Sequence, residues 1–356
     1  MNTPKILIVK LSALGDVVHT WPAARSLRQT FPQAFIAWAV EERFADLVAM
    51  NPDVDEVIPL ATKRWRKQPG LASLGELRET LRRIRQHRFD IVVDFNGLIK
   101  SGVVTWFSGA RHRVGFHRSQ CREKLSALAT NRRLPRQEPG RHVVELNLAL
   151  ARAAGATAQP GEPVALNIPP ASTDLIAGFL ADHKETAGRP LAALHAGAGF
   201  SSKRWAPERF ARLGDRLSAE LGFTVLLTWG PGEKEQAEAV GGLMERPHLL
   251  TPPTSLADLA ALCPHLNLLV CCDSGPLHLA AALGVPTVSI FGPTDPKRNG
   301  AYGPGHEAVV EILSCSFCWK RTCPLGTGEC MKQVDADAVF DTIRKNVSRY
   351  TARQPQ

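Results

Sequence analysis

CCDSGPLHLAAALGVPTVSIFGPTDP, Cys271–Pro296, holds most of a strand–helix–strand unit. An apolar run ends at Asp273, Ser274 and Gly275 turn the chain, and Pro276 stands where a helix begins. Proline suits the first helical turn because the N–H it lacks has no partner inside the helix there. The pattern predicts strands near 267–272 and 286–291 with a helix over 276–283 between them. Two strands joined by such a crossover lie parallel in one sheet, which sets the fold class as α/β.

Working outward, the same alternation recurs along the chain. Strands are predicted near 5–10, 35–40, 56–59, 90–94, 191–195 and 223–228, and helices over 73–87, 143–154, 207–221 and 234–243. The alternation runs twice, broken at GATAQPGEPVALNIPPAS (Gly155–Ser172), where Pro and Gly cluster; we read a linker plus an edge strand. VDADAVFDTIRKNVSRY (334–350) predicts a last amphipathic helix, and TARQPQ a frayed tail. Two Rossmann-like domains facing each other across a cleft are expected.

The composition, 44% apolar and 22% charged, is that of a globular chain, and its 356 residues suffice for two cores. No apolar run approaches the roughly 20 residues of a membrane span. MNTPKILIVKL enters a strand directly and is broken by Lys10, so a cytoplasmic protein is expected. The net charge of +9 is uneven: residues 1–170 carry 25 Lys/Arg against 15 Asp/Glu, residues 171–356 carry 18 against 19. The excess gathers in KRWRK (Lys63–Lys67), placed on a loop after the third strand, and in RHRVGFHRSQCREK (Arg111–Lys124). The first half should face an anion: nucleic acid, a membrane surface or a phosphorylated substrate. For Arg78 to Arg88 a solvated helix face suffices.

Three loops of the second half follow predicted strands and should open on one sheet edge. In LHAGAGFSSKRW, small residues at 196–199 admit close backbone approach, and Lys203 is either a surface charge or a point charge for phosphate. In TWGPGEKEQA, Glu233 is a helix cap or a ligand contact; in the third loop, Asp273 ends a strand before free N–H groups at Gly275–Leu277. His278 is a satisfied helix residue or a diphosphate donor. In the first half VKLSALGDVVHTWPA sets Asp16 in the first turn of a helix, where an acid complements the dipole.

KLSALGDVVHTWPA, AGFSSKRWAPERF, CCDSGPLHLAAALGVPTVSIFGPTDP and GAYGPG, in this order and spacing, resemble glycosyltransferase family nine, the heptosyltransferases of lipopolysaccharide core assembly. VIPLATKRWRKQ and DFNGLIKSG resemble the heptosyltransferase I branch, which adds the first heptose to Kdo on lipid A. The resemblance, from about residue 4 to residue 345, implies the GT-B fold, with a C-terminal helix returning to the first domain. It divides the chain into an acceptor domain (1–168), a nucleotide-sugar domain (172–332) and that helix (333–350).

The resemblance also implies an inverting transfer from ADP-heptose to Kdo-lipid A at the cytoplasmic face of the inner membrane. Asp16 is then the general base. Lys203, His278 and the amides of Ser274, Gly275, Pro276 and Leu277 (proline contributing no N–H) surround the leaving diphosphate; Asp273 holds heptose hydroxyls and Glu233 the nucleoside. Some heptosyltransferases I carry a threonine pair where Gly197-Ala198-Gly199 stands, so Gly197 and Gly199 are expected to offer backbone only. Lys63, Arg64, Arg66, Lys67 and Lys100 are expected to meet the anionic acceptor. No cofactor or metal is implied.

Two rivals stand beside this reading. One is heptosyltransferase II, or a paralogue using another nucleotide sugar. The other is a nucleic-acid-binding protein, favoured by the basic half and by Trp65 among its charges, and opposed by anion loops in the neutral half. Cys315 and Cys318 have zinc-type spacing, but the gaps to Cys323 and Cys330 fit no standard finger, and a cytosolic chain does not favour disulfides.

Overall fold

The computed structural model describes residues 3–159 and 164–352. Contacts divide the chain into two compact units, Met1–Asn167 and Ile168–Gln356. The first holds β1 (Lys5–Val9), β2 (Phe35–Glu41), β3 (Glu56–Leu60), β4 (Ile91–Asp94), β5 (His112–Gly115) and β6 (Arg132–Arg133) in the order β3-β2-β1-β4-β5-β6. The second holds β7 (Leu191–His195), β8 (Thr224–Thr228), β9 (His248–Leu250), β10 (Leu268–Cys272), β11 (Thr287–Phe291) and β12 (His306–Val310) in the order β12-β11-β10-β7-β8-β9. All pairings are parallel.

Strands of a parallel sheet are covered on both faces, so they are apolar throughout rather than alternating. LAALH, TVLLT, LLVCC and TVSIF are buried at every position. The helix Pro207–Leu221 begins on its proline and ends at Gly222, whose φ of 71° lets its N–H reach the Leu217 carbonyl. In each sheet the order reverses beside the first strand, between β1 and β4 and between β7 and β10. Ligands of such folds bind outside the carboxyl ends of the strands at that reversal. The loops after those four strands are therefore the places to look.

Three expectations are corrected. The predicted edge strand in 155–172 is not found among the described residues; 164–169 are irregular, the helix Pro170–Asp182 follows, and 160–163 lie outside the described residues. The C-terminal helix, expected to return to the first domain, buries its face in the second unit instead. Ala336, Val339, Phe340 and Ile343 of the helix Ala336–Lys345 join Leu213, Leu217 and Val288 in one core. Arg216 lies 3.7 Å from the Phe340 ring centre and 2.7 Å from Asp337, and the Trp205 indole donates to the Val334 carbonyl. The apolar stripe of that helix matches the one on Pro207–Leu221, which is why it stays there. Of the expected tail, Thr351 closes a short helix and 353–356 lie outside the described residues. The third correction, the setting of KRWRK, belongs to the site. Among the described residues no helix is long and apolar enough to cross a membrane.

Candidate active site

Three of the second-unit residues predicted from sequence meet at one carboxylate. Asp273, just past β10, is buried; its Oδ2 accepts from Lys203 Nζ at 2.6 Å and from Thr294 Oγ1 at 2.6 Å, and its Oδ1 lies 3.4 Å from His278 Nε2. Lys203 comes from the turn after β7, Thr294 from the loop after β11 and His278 from the first turn of the helix Gly275–Ala282. Burial pushes the Asp273 carboxyl up, but His278 and Lys203 outweigh it and hold the group well below the usual carboxylate range. Lys203 is therefore no loose surface charge: its side chain is 15% exposed and its ammonium lies 4.9 Å from the Phe200 ring centre. Thr294 escaped the sequence reading, although GPTDP was in view.

The helix Gly275–Ala282 is entered with Ser274 extended and making no side-chain cap, with proline in its first turn. Its first N–H groups are not taken by a cap and carry the positive end of the helix dipole, an arrangement suited to an anion.

Glu233, predicted at the helix start after β8, is held by two neighbours. Its Oε2 accepts from the Gly230 amide at 3.1 Å and lies 3.3 Å from His195 Nε2, while His195 Nδ1 lies 3.2 Å from Thr228 Oγ1. His195, beside burial that opposes it, draws the Glu233 carboxyl below its usual range. A Cβ on Gly197 would stand 2.2 Å from the Glu233 carboxyl carbon, so the close approach that this glycine permits is to Glu233. Gly199 has nothing within 4 Å of such a Cβ and stays open. His195, buried at the end of β7, is a second residue that the sequence reading missed.

In the first unit Asp16 does what an acid at a helix start does. Its Oδ2 accepts from the Ala13 N–H at 2.9 Å. The loop before it is strapped to the loop after β4: Asn96 Oδ1 accepts from the Leu11 N–H at 2.5 Å, Asn96 Nδ2 donates to the Ser12 carbonyl at 3.3 Å, and Lys10 Nζ donates to the Phe95 carbonyl at 2.7 Å. Beneath lies Asp94, fully buried and accepting from the amides of Asn96 and Gly97 and from Ser101 Oγ; burial raises its carboxyl above the usual value. The two loops flanking the reversal of the first sheet are thus one hydrogen-bonded body.

The basic segment is a helix, Thr62–Lys67, not the loop expected. The cause is Glu41, buried at the end of β2, which accepts from Thr62 Oγ1 and, at 2.8 Å, from the Lys63 N–H. That anchors the first helical turn. Lys100 joins the same carboxylate at 3.8 Å; burial draws its ammonium below the usual lysine range, Glu41 opposes this, and Arg66 and Arg43 add to it. Arg64 is spent on Glu76 at 2.9 Å and Glu42 at 3.5 Å. Trp65 donates to Glu76 and packs on the apolar core, so the aromatic that supported a nucleic-acid reading is used inside the unit. Among the described residues Lys63, Arg66 and Lys67 have no ion-pair partner. Lys63, Arg64, Lys67 and Arg43 line a groove of about 330 Å³ with Glu41 and Glu42. Arg43 was not foreseen; only its place after β2 reveals it.

The family model described as glycosyltransferase family 9 (heptosyltransferase) matches residues 77–328. Lipopolysaccharide heptosyltransferase 1 of Pseudomonas aeruginosa is 33% identical over 358 residues, 99% of this chain and 95% of that one. Lipopolysaccharide heptosyltransferase 1 of Escherichia coli K12 is 32% identical over 305 residues, 84% of this chain and 91% of that one. The solved structure of E. coli heptosyltransferase WaaC with ADP superposes with a TM-score of 0.77 at 28% identity, covering 96% of this chain and 99% of that one.

Proposed function

Since the chain belongs to glycosyltransferase family 9 and is a glycosyltransferase, we propose that it moves a heptose from ADP-L-glycero-D-manno-heptose to Kdo of the lipopolysaccharide inner core. The observation that carries this reading is the Lys203–Asp273–His278–Thr294 cluster beside an uncapped helix N-terminus. It supplies what a leaving diphosphate requires: positive groups and amide dipoles fixed before the reaction.

In the proposed step an acceptor hydroxyl oxygen attacks the anomeric carbon, the bond from that carbon to the β-phosphate oxygen breaks, and configuration inverts. The hydroxyl proton passes to Asp16. Oδ2 of that carboxylate holds the Ala13 N–H, and its Oδ1 is the atom assigned to take the proton. The electron pair of the broken bond leaves on ADP, where Lys203, His278 and the Gly275 and Leu277 amides meet the charge. Asp273 orients heptose hydroxyls, Glu233 the nucleoside ribose, and the backbone at Gly199 lies open to the phosphates. Lys63, Arg66, Lys67 and Lys100 are assigned to the acceptor's carboxylates and phosphates, with Arg64 contributing less because Glu76 already holds it. An acceptor anchored in lipid places the work at the cytoplasmic face of the inner membrane.

The test is ADP release from ADP-heptose with Kdo-lipid A, with the same lipid already carrying one heptose, and with neither. Release that needs Kdo-lipid A supports the reading. Release only with the heptosylated lipid replaces it by heptosyltransferase II. A shifted band with duplex DNA or RNA persisting at moderate salt would favour the nucleic-acid rival.

A further inference from the structure

The helix Ile99–Phe107 is packed inside out. It buries Ser101, Gly102, Val104 and Thr105 in the first unit and leaves Ile99, Trp106 and Phe107 exposed, Trp106 by 57%. With the half-buried Val103 between them, these apolar residues stand at i, i+4, i+7 and i+8, a single stripe of the helix. The short 3-10 helix Lys124–Ala129 repeats the inversion: Ser126, Ala127 and Ala129 are inside, while Leu125 and Leu128 are outside. The two elements touch at Gly102, where a Cβ would stand 3.3 Å from Ser126 Cα and 3.4 Å from Ala129 Cβ.

Beside them the helix Leu71–Gln86 covers the same face of the sheet, since its Ile84 and Val104 share one core with Leu7 and Val92. Its Leu71, Leu74, Arg78, Arg82 and Arg85 recur at i, i+3, i+7, i+11 and i+14, a second exposed stripe. That stripe lies on the flank toward Ile99–Phe107: a Cβ on Gly109, just past that helix, would stand 2.8 Å from Arg85 Nη1. Glu76 and Arg83, on the opposite flank, turn to Arg64 and Glu56. Among the described residues, every large apolar side chain that the first unit leaves exposed is on these three elements. Folding takes apolar surface out of water, so a contiguous set left outside marks a surface that something else covers.

The same surface is cationic. Residues 71–128 carry 11 Lys/Arg against 5 Asp/Glu. Arg82, Arg85, Arg88 and Arg111 line a groove of about 610 Å³ that begins beside Phe107, at Ser108 and Gly109. Among the described residues Arg78, Arg85, Arg88 and Arg111 have no ion-pair partner, and the acids nearby are engaged: Glu79 lies 3.8 Å from Arg82, Asp90 accepts from the Lys5 N–H and Glu123 from the Ile99 N–H. The Arg113 guanidinium, held by the Ala110 and Ala129 carbonyls at 2.8 Å, lies 5.2 Å from the Trp106 ring centre, so a fixed cation backs the exposed indole. From sequence a solvated face accounts for Arg78 to Arg88; the structure gives those arginines apolar neighbours.

We propose that this face, formed by Leu71–Gln86, Ile99–Phe107 and Lys124–Ala129, docks the first unit on an anionic phospholipid bilayer. Trp106, Phe107, Leu125 and Leu128 enter the interface, and the arginines meet lipid phosphates. The mixing of side chains identifies the occupant. A protein partner is met by an apolar core depleted of charge, whereas here cations and apolar groups share the same stripes, as a headgroup layer over hydrocarbon accepts. The face also runs up to cations already assigned to the acceptor: Lys100 follows Ile99, and the basic helix Thr62–Lys67 precedes Leu71. On the transferase reading, and resting on it, a lipid-anchored acceptor reaches those cations from the same bilayer.

The experiment is sedimentation of the full chain with vesicles of phosphatidylethanolamine and phosphatidylglycerol, and with vesicles of phosphatidylcholine alone. Binding to the anionic vesicles is expected, roughly tenfold weaker on phosphatidylcholine and weakened by salt. The Trp106→Gln/Phe107→Gln/Leu128→Gln variant should bind about tenfold more weakly with every charge kept and the melting temperature unchanged. Arg82→Gln/Arg85→Gln/Arg111→Gln should lose most of the preference for anionic lipid. Lipid brominated in its acyl chains should quench the parent's tryptophan fluorescence more than that of Trp106→Phe, and this difference decides if the joint variants do not fold. No binding to the anionic vesicles, undiminished binding by the folded apolar variant, or equal quenching in Trp106→Phe overturns the proposal. So does a dimer of the parent that the apolar variant abolishes, which gives the face to a second copy. The two readings fail separately: vesicle binding by a chain that releases no ADP keeps this face and removes the heptose transfer, and ADP release without vesicle binding does the reverse.

Discussion

The carboxyl edges of the two sheets are built to one plan and charged in opposite ways. Counted from its own first strand, each sheet runs third-second-first-fourth-fifth-sixth, so Asp16 and Asn96 occupy in the first unit the places that Lys203 and Asp273 occupy in the second. In the second unit the charged residues assigned to the site have counter-charges nearby: Asp273 with Lys203 and His278, Glu233 with His195. In the first, Lys63, Arg66 and Lys67 stand without ion-pair partners among the described residues, and Lys100 shares one buried carboxylate with a helix start. Under the proposed function, the difference teaches how one fold would receive two kinds of anion. A small diphosphate can be met by a buried, preorganised set whose charges balance when it is absent. A large polyanion is met by exposed cations whose attraction is long-ranged, individually weak and screened by salt.

The comparison breaks most sharply at Asp16, the one acid at the first edge assigned to chemistry. Asp16→Asn keeps an oxygen to accept from the Ala13 N–H, so the fold and donor binding should persist while turnover falls by about 10²–10⁴-fold. Near-normal turnover in steady-state assays would leave Asp16 as a helix cap and nothing more.

Lys203→Ala tests the balanced edge. Donor KM should rise and kcat fall together, since a group touching phosphate in ground and transition states affects both. The sequence alone suggests little loss of stability. The structure changes that, because the variant leaves a buried carboxylate with one partner fewer, at a cost of about 1–3 kcal/mol. Asp273, with its pKa depressed in the folded state, contributes stability above its unfolded value of about 3.9 and loses it as pH falls through the lower folded value. Without Lys203 the folded value rises, so acid unfolding should begin at higher pH. Identical melting curves and acid midpoints would argue that the pair contributes nothing.

A pair of glycines sharpens the comparison further. In Gly197→Ala the new methyl would meet the Glu233 carboxylate, which must leave His195, and donor KM should rise several-fold. In Gly199→Ala the methyl meets only open space in the free protein. Its effect should be confined to the donor complex, with an unchanged melting temperature without ligand. Equal donor KM in the two variants and the parent would remove this loop from the site.

The smallest effect per residue belongs to the unbalanced edge. Exposed pairs are worth below about 1 kcal/mol each, so the change is made jointly. The Lys63/Arg66/Lys67→Ala variant should raise acceptor KM by roughly tenfold, leave donor KM alone, and flatten the dependence of rate on ionic strength. Acceptor KM equal to the parent's at low salt would mean that these cations only keep the helix solvated.

Much of this frame was legible in the sequence, and what was not shares a cause. Eight of the strands were found, most clearly where a run such as LLVCC or TVLLT stays apolar throughout, as it does wherever it sits in a covered sheet. His112–Gly115, Arg132–Arg133, His248–Leu250 and His306–Val310 were missed. Three of these are edge strands and the fourth lies next to one; all are partly polar, three have four residues or fewer, and their pairing comes from a neighbour rather than from their own pattern. The C-terminal helix was recognised but sent to the wrong unit, since an amphipathic stripe declares that it will be buried and not against what.

By itself the sequence determined two α/β units, their central strands, the loops to which the chemistry is assigned and, through four motifs, the family. All of these are written in runs of neighbouring residues. Only the tertiary structure decided that Lys203 lies against Asp273, 70 positions away, with Thr294 at the same oxygen, that Glu41 starts the basic helix and holds Lys100, and that Gly197 is bare to make room for Glu233. Each of these joins residues from different βα loops, and which loops become neighbours is set by the order of strands in the sheet, a property with no local signal along the chain.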